Sequence, residues 1–298
     1  MANLKEVRER ITSVISTQQI TKAMKMVSAA KLRKAQGAIQ QLRPYSEKLN
    51  GMLSNILSNL GADASTSFGQ SRKVQKACIV LITSNRGLCG AFNTNLVKTA
   101  VQLVEEKYAE QRAAGNLSIL FIGKKGYDYF RRRYTDIHFI TDHLALFEDL
   151  SFDNTVQVPN RLMKAFEAKQ FDAIDIVYAR FRNAAMQYFV AEPFLPVPKM
   201  EPAPSSGGKK MRADFIFEPD QENLLEILVP TILQTQFQKT LLDTHASEHG
   251  ARMTAMDKAS ENAEELLKEL RINYNKARQE AITKELAEIV GGAASLGG

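Results

Sequence analysis

The chain has 298 residues, 44% of them hydrophobic and 24% charged, a balance that excludes a disordered protein and permits one large core or two domains. Its formal net charge of +6 is local: residues 1–50 hold ten Lys or Arg against three acids, a net +7, so the other 248 residues sum to −1. Cys78 and Cys89 lack the spacing of a disulfide framework or a zinc site, and apolar runs such as "ACIVLI", 77–82, fall far short of the ~20 residues a membrane span needs.

From the N-terminus, Leu4, Val7, Ile11 and Val14 recur at gaps of three and four, followed by Ile20, Met24, Val27 and then Leu32, Ala35, Ile39, Leu42. This is a helix whose apolar stripe, read from those residues, slips twice and wanders around the axis. Pro44 is expected to kink it, and the spacing predicts a resumed helix from Leu49 to Leu60, ended by "GADASTSFG". The segment "TKAMKMVSAAKLRKAQ", 21–36, carries five cations and no acid, a pattern shared by membrane-surface, nucleic-acid and partner-binding helices.

The middle of the chain alternates. "ACIVLITS" reads as a buried strand, followed by a glycine turn and a helix over 95–113. "LSILFIG" is a strand, 127–134 a short basic helix, "IHFIT" a strand, 158–168 a helix, and "AIDIVYARF" with "MQYFVAEPFL" a closing hairpin. Strands and helices in turn predict a mostly parallel sheet covered on both faces. A proline-rich linker follows, and after Pro230 only Gly250 interrupts a helix predicted over 231–290. Within it Met256, Ser260, Ala263, Leu267, Leu270, Tyr274, Ala277 and Ala281 alternate gaps of four and three, the coiled-coil spacing. Residues 240–290 hold seven Lys or Arg against ten acids, a net −3 opposite the +7 of the N-terminal helix. The expected fold is therefore α/β plus a long antiparallel α-helical coiled coil of the two termini. Its divisions are 1–60 for the N-terminal helix, 74–198 for the Rossmann-like domain, 199–220 for a linker and 221–298 for the C-terminal helix and tip.

Candidate chemistry is sparse. "SNRGLCGAFN", 84–93, stands at a strand end before a helix, where backbone N–H groups can cradle a phosphate and a cysteine can be activated. It matches neither glycine-rich nucleotide fingerprint, and a tight turn needing glycine for clearance explains it equally. "IGKKGYDYFRRRY", 122–134, mixes cations and aromatics as single-strand nucleic-acid surfaces do, and as solvated helix faces also do. His245 and His249 are four apart, but no H-E-x-x-H pattern surrounds them. No catalytic, cofactor-binding or metal residue is assigned.

Three long segments carry a resemblance: "LKEVRERITSVISTQQITKAMKMVSAAKLRKAQ", "TSNRGLCGAFN" and "SEHGARMTAMDKASENAEELLKELRINYNKARQEAITKELAEIVGGAASL". In that order they resemble the gamma-subunit family of F-type ATP synthases, over practically the whole chain. The resemblance implies a central rotor shaft without cofactor or catalytic residue of its own. It implies passage through a head of alpha and beta subunits, and an α/β foot on the epsilon subunit and the membrane ring of c subunits. Arg252, Arg278, Gln279 and Thr283, with Lys22, Met24 and Lys25, fall on family positions that meet the beta subunit, while Leu286, Ile289 and Val290 fall on the bearing tip. Core packing against Leu4, Val7 and Ile11 is the other reading of the tip. No nucleic acid and no membrane span are implied. The lack of a transit-peptide pattern, given Glu6 and Glu9, favours the cytoplasmic face of a bacterial plasma membrane, or the matrix face for a processed mitochondrial form. A coiled-coil scaffold or nucleic-acid adaptor, and a nucleotide-dependent enzyme using 84–93, stand as alternatives.

Overall fold

The computed structural model describes residues 4–60, 68–69, 72–197 and 221–296; the expected linker at 199–220 lies outside them. The chain forms two compact units, Ala30–Ala251 and Met1–Ala29 with Arg252–Gly298.

The larger unit is built on strands β1 (Ala77–Ile82), β2 (Leu117–Ile122), β3 (His138–Ile140), β4 (Ala173–Phe181) and β5 (Gln187–Leu195), ordered β3-β2-β1-β4-β5. β1 pairs in parallel with β2 and β4, β2 with β3, and β5 closes the edge antiparallel to β4. All six β1 side chains are fully buried, as a central parallel strand covered on both faces requires. One face is covered by α2 (Phe92–Gln102) and α4 (Lys124–Phe130), through Phe92, Leu96 and Phe130. The other is covered by α6 (Gln157–Glu167), by Leu49 of α1 (Leu4–Leu60), and by Leu233, Phe237 and Leu241 of α7 (Gln221–Leu296). A short helix α5 (Phe152–Thr155) precedes α6. This is the Rossmann-like arrangement that alternation implies.

The elements depart from expectation in three places. The helix expected at 95–113 is α2, then a π-helical turn Leu103–Lys107, then α3 (Ala109–Ala113). The turn has a visible cause: Lys107 Nζ donates to Asp175 Oδ2 at 2.6 Å and Tyr108 Oη to the same oxygen at 3.0 Å. Asp175 is a buried β4 acid, and two consecutive helix residues reach it only where the ladder is widened. Second, α1 continues through Pro44. Third, α7 begins before Pro230 rather than after it. A proline inside a helix costs about 3 kcal/mol. Around Pro230 the buried Val229, Ile232, Leu233 and Phe237 offset that by packing on the sheet.

Gly250, the one glycine in the middle of α7, is where the helix lies against the β4–β5 turn. A Cβ there would stand 3.1 Å from the backbone of Ala184. Within the two turns before it, the Ala179 N–H donates to Thr244 Oγ1 (3.3 Å) and Ser247 Oγ donates to the Ala179 carbonyl (3.2 Å), fixing α7 to β4.

The smaller unit is a pair of helices. Thr21 Oγ1 and Ser260 Oγ are 2.7 Å apart, and Lys25 Nζ donates to Asp257 Oδ1 at 2.5 Å. Numbers rise along one helix as they fall along the other, so the pair is antiparallel. On α7 Met256, Ser260, Ala263, Leu267 and Leu270 are buried, and Tyr274, Ala277 and Ala281 half-buried.

A candidate docking surface on the terminal helices

The seam of α1 differs from the apolar stripe read in the sequence. Its buried and half-buried positions include Leu4, Val7, Ile11, Val14, Gln18, Thr21, Lys25, Ser28, Leu32, Ala35, Ile39, Leu42, Ser46 and Leu49, a set that alternates gaps of three and four without a slip, with Ile15, Met24, Ala29 and residues 36–38 half-buried beside it. The heptad runs through polar residues. Thr21 and Ser28 are 8% and 2% exposed, whereas Ile20 and Val27 are 59% and 57% exposed. The wandering stripe is thus corrected: the seam is straight, and the apolar side chains that seemed to displace it point outward.

Small hydroxyls suit this seam physically. One hydroxyl donates to its own helix carbonyl, Thr21 Oγ1 to Gln18 (3.0 Å) or Ser260 Oγ to Met256 (2.8 Å), and accepts the proton of the other, so both are satisfied while the helices stay close. The outward Ile20, Val27 and Met26, the last 67% exposed, have no such internal purpose. Together with exposed cations such as Lys22 and Lys31 they form a mixed apolar and basic face, a candidate surface for a partner.

The residues expected to meet a partner fall into different settings. Lys22 is exposed and Met24 half-buried, while Lys25 is bonded to Asp257 across the helix pair, with 41% and 45% of the two side chains exposed. Arg252 is only 7% exposed, so it is an interior side chain rather than an outward one. Arg278, Gln279 and Thr283 are exposed, and Gln279 and Thr283 share one face with Lys276, Glu280, Lys284 and Ala287.

The end of α7 is set apart. With Thr21 facing Ser260 and Lys25 facing Asp257, Leu4 falls opposite about residue 277. The rest of α7, from 278 to 296, has no length of α1 beside it. Those 19 residues extend ~28 Å at ~1.5 Å per residue. Every described side chain from 282 to 293 is exposed. Leu286, Ile289 and Val290 stand 56%, 67% and 66% exposed, so packing of this tip against Leu4, Val7 and Ile11 does not occur.

The two enzyme-like segments are held by their own side chains. In 84–93 the Ser84 N–H donates to Asn93 Oδ1 (3.0 Å), Asn93 Nδ2 donates to Ser84 Oγ (2.7 Å) and Cys89 Sγ (3.2 Å), and Ser84 Oγ donates to the Arg86 carbonyl (2.6 Å). Leu88 and Gly90 take φ of 61° and 60°, and Cys89 is 2% exposed, which describes a locked βα turn. Burial pushes the other thiol, Cys78, up to about 12. In 122–134 the guanidinium of Arg131 lies 5.4 Å from the Tyr127 ring centre and that of Arg133 lies 4.0 Å from Tyr129, so cations of the same segment cover the rings on which bases would stack. Among the described residues, no helix is long and apolar enough to cross a membrane, and no group of three or more His, Cys, Asp or Glu is placed to hold a metal ion.

Known proteins resemble this chain along its whole length. The family described as ATP synthase matches residues 3–296. The ATP synthase gamma chain of Cytophaga hutchinsonii is 48% identical over 296 residues, covering 99% of both chains, and that of Flavobacterium psychrophilum is 48% identical over 299 residues, covering all of both. A chain in the cryo-EM structure of the Euglena gracilis mitochondrial ATP synthase, OSCP/F1/c-ring, rotational state 3, superposes with a TM-score of 0.63 at 23% identity, covering 98% of this chain and 94% of that one. That likeness concerns the fold.

Proposed function

This chain belongs to the ATP synthase gamma-chain family, and from that premise we propose that it is the central shaft of a rotary F-type ATP synthase. Its helix pair turns inside a head of alpha and beta subunits, while the α/β unit stands on the epsilon subunit and the membrane ring of c subunits. Ion flow drives the turning, and the beta subunits join ADP and phosphate in response, or run the reverse. The chain supplies no catalytic residue to that reaction; it supplies contacts that differ around its circumference. It works as a peripheral subunit on the cytoplasmic face of the membrane.

The observation that carries this reading is the end of α7 beyond the reach of α1, with exposed Leu286, Ile289 and Val290 that no described residue covers. Burying a large aliphatic side chain is worth ~1.5–3 kcal/mol, so three left in water favour an apolar sleeve. Lower on the same unit Lys22, Met24, Arg278, Gln279 and Thr283, with Ile20 and Val27 beside them, supply the faces turned to the beta subunits. A shaft alike on three sides would bias no beta site over another, because a shift between states requires a difference in contact free energy. The outward apolar groups lie on one side of α1, and that difference supplies the asymmetry.

Co-expression with the alpha and beta subunits of the same genome tests the assignment. A stable ATPase containing one copy of this chain is expected, and ATPase that assembles without it, with the chain left free, refutes the shaft reading.

A further inference from the structure

The shaft reading makes no use of one arrangement on α7. His245 and His249 stand one helical turn apart with their Nε2 atoms 3.1 Å from each other, ring centres 4.5 Å apart and planes at 89°. The ring of Phe147 stacks on His245 at 5.8 Å and 19°, fixing that imidazole from the sheet side. His249 is 5% exposed, whereas His245 is half-buried and forms the open side of the pair.

We propose that His245 and His249 are a two-point chelate for a borderline divalent transition cation of the Zn2+ type. At a metal–nitrogen distance of ~2.05 Å, nitrogens 3.1 Å apart subtend about 100° at the ion, between the ~90° of octahedral and ~109° of tetrahedral coordination. The spacing of the pair therefore suits a bite of that width, and each ring has to turn by about 40° from the hydrogen-bonded line for its lone pair to aim at the ion. Neutral imidazole is a suitable ligand for Zn2+, Cu2+ and Ni2+. In the metal-free pair one ring donates from Nε2 and the other accepts. On binding, both Nε2 atoms give a lone pair to the ion, and the proton they shared moves to Nδ1 of its ring or to solvent. No third His, Cys, Asp or Glu joins the pair among the described residues, so water takes the remaining positions and affinity stays below that of a closed four-ligand site. The stacked Phe147 holds one ligand in place and the helix the other, which reduces the ordering cost of binding. A bound ion ties residue 245 to residue 249 and raises the unfolding temperature in proportion to its occupancy.

The test titrates Zn2+ into the full chain against a chromophoric chelator, with thermal unfolding read in parallel. One equivalent of Zn2+ is expected to bind and to raise the melting temperature. His245→Asn and His249→Asn should each weaken binding about tenfold or more, as loss of a coordinating group does. His138→Asn, at an exposed histidine elsewhere, should leave it unchanged. The half-exposed His245 keeps the test decisive should His249→Asn fail to fold. Absence of stoichiometric binding, or binding that survives His245→Asn and falls with His138→Asn, overturns the proposal.

Discussion

Lys25 separates two accounts of the basic stretch 21–36, because it is both a candidate contact for the beta subunit and a partner of Asp257 within the chain. The Lys25–Asp257 pair is short at 2.5 Å, yet 41% and 45% of the two side chains remain in solvent. Exposed pairs are worth ~0.2–1 kcal/mol once screening and side-chain ordering are counted. At ~2–4 °C per kcal/mol for a chain somewhat smaller than this one, Lys25→Ala should lower the melting temperature by no more than about 4 °C. Asp257→Ala should do the same, and the double variant should be no worse than either single, leaving a coupling energy of ~0.2–1 kcal/mol. The same three variants, assembled with alpha and beta subunits, carry the functional half of the test. If Lys25 acts through the helix pair, coupled ATP synthesis follows the melting temperatures and Asp257→Ala matches Lys25→Ala. A Lys25→Ala complex that loses coupling while Asp257→Ala retains it, with zero coupling energy in the unfolding cycle, refutes the reasoning and assigns Lys25 to the partner.

Asp175→Ala leaves the Tyr108 hydroxyl, 1% exposed, without its acceptor and removes a charge-assisted bond from Lys107. The expected loss is about 2–4 kcal/mol in urea unfolding, against about 1 kcal/mol for Tyr108→Phe. Gly123→Ala places a Cβ 1.9 Å from the Thr83 carbonyl oxygen at φ +88° and should cost about 3 kcal/mol or more. Gly115→Ala, at φ +70° with nothing within 4 Å, should cost only the ~1–2 kcal/mol of left-handed backbone; equal losses at the two sites would contradict the clash. Burial lifts the Asp243 carboxyl to about 6, against the pull of Lys239 and Arg180. Between about pH 4 and 6 the folded chain keeps a proton that the unfolded chain has lost, so this group's contribution to stability falls as pH rises, reaching about −2 to −3 kcal/mol above pH 6. Asp243→Asn should therefore stabilise the chain at pH 7.5 and not at pH 4, and a variant equally stable or weaker at both would contradict this.

The sheet was legible because its signals are local and redundant. "ACIVLI" is apolar at every position, as only a strand covered on both faces is, and strand–helix alternation restricts such strands to a parallel order. The π-helical turn was not legible, since its cause is Asp175, some seventy positions further along the chain. Pro230 misled for the same reason: the local penalty is visible in the sequence, and the packing of Ile232, Leu233 and Phe237 that outweighs it is not.

The outer face of α1 was legible in its residues but not in their direction. Hydrophobicity alone assigns Ile20 and Val27 to the seam and leaves Thr21 and Ser28 outside it; the structure reverses both. The signal that could have found this was present. Continuing the three-and-four rhythm of Leu4, Val7, Ile11 and Val14 through Gln18, Thr21, Lys25 and Ser28 reaches Leu32 and Ala35 without a slip. A strict rhythm filled with polar residues, beside apolar residues out of phase, describes a helix with two faces to satisfy. The inner face asks for small side chains that let two backbones approach. The outer one carries apolar groups that stay exposed among the described residues, and whose cost in water the proposed partner would remove. An apparent slip of the seam is then evidence of that second face, which is what the proposed grip from outside would need and a helix serving only its own core would not.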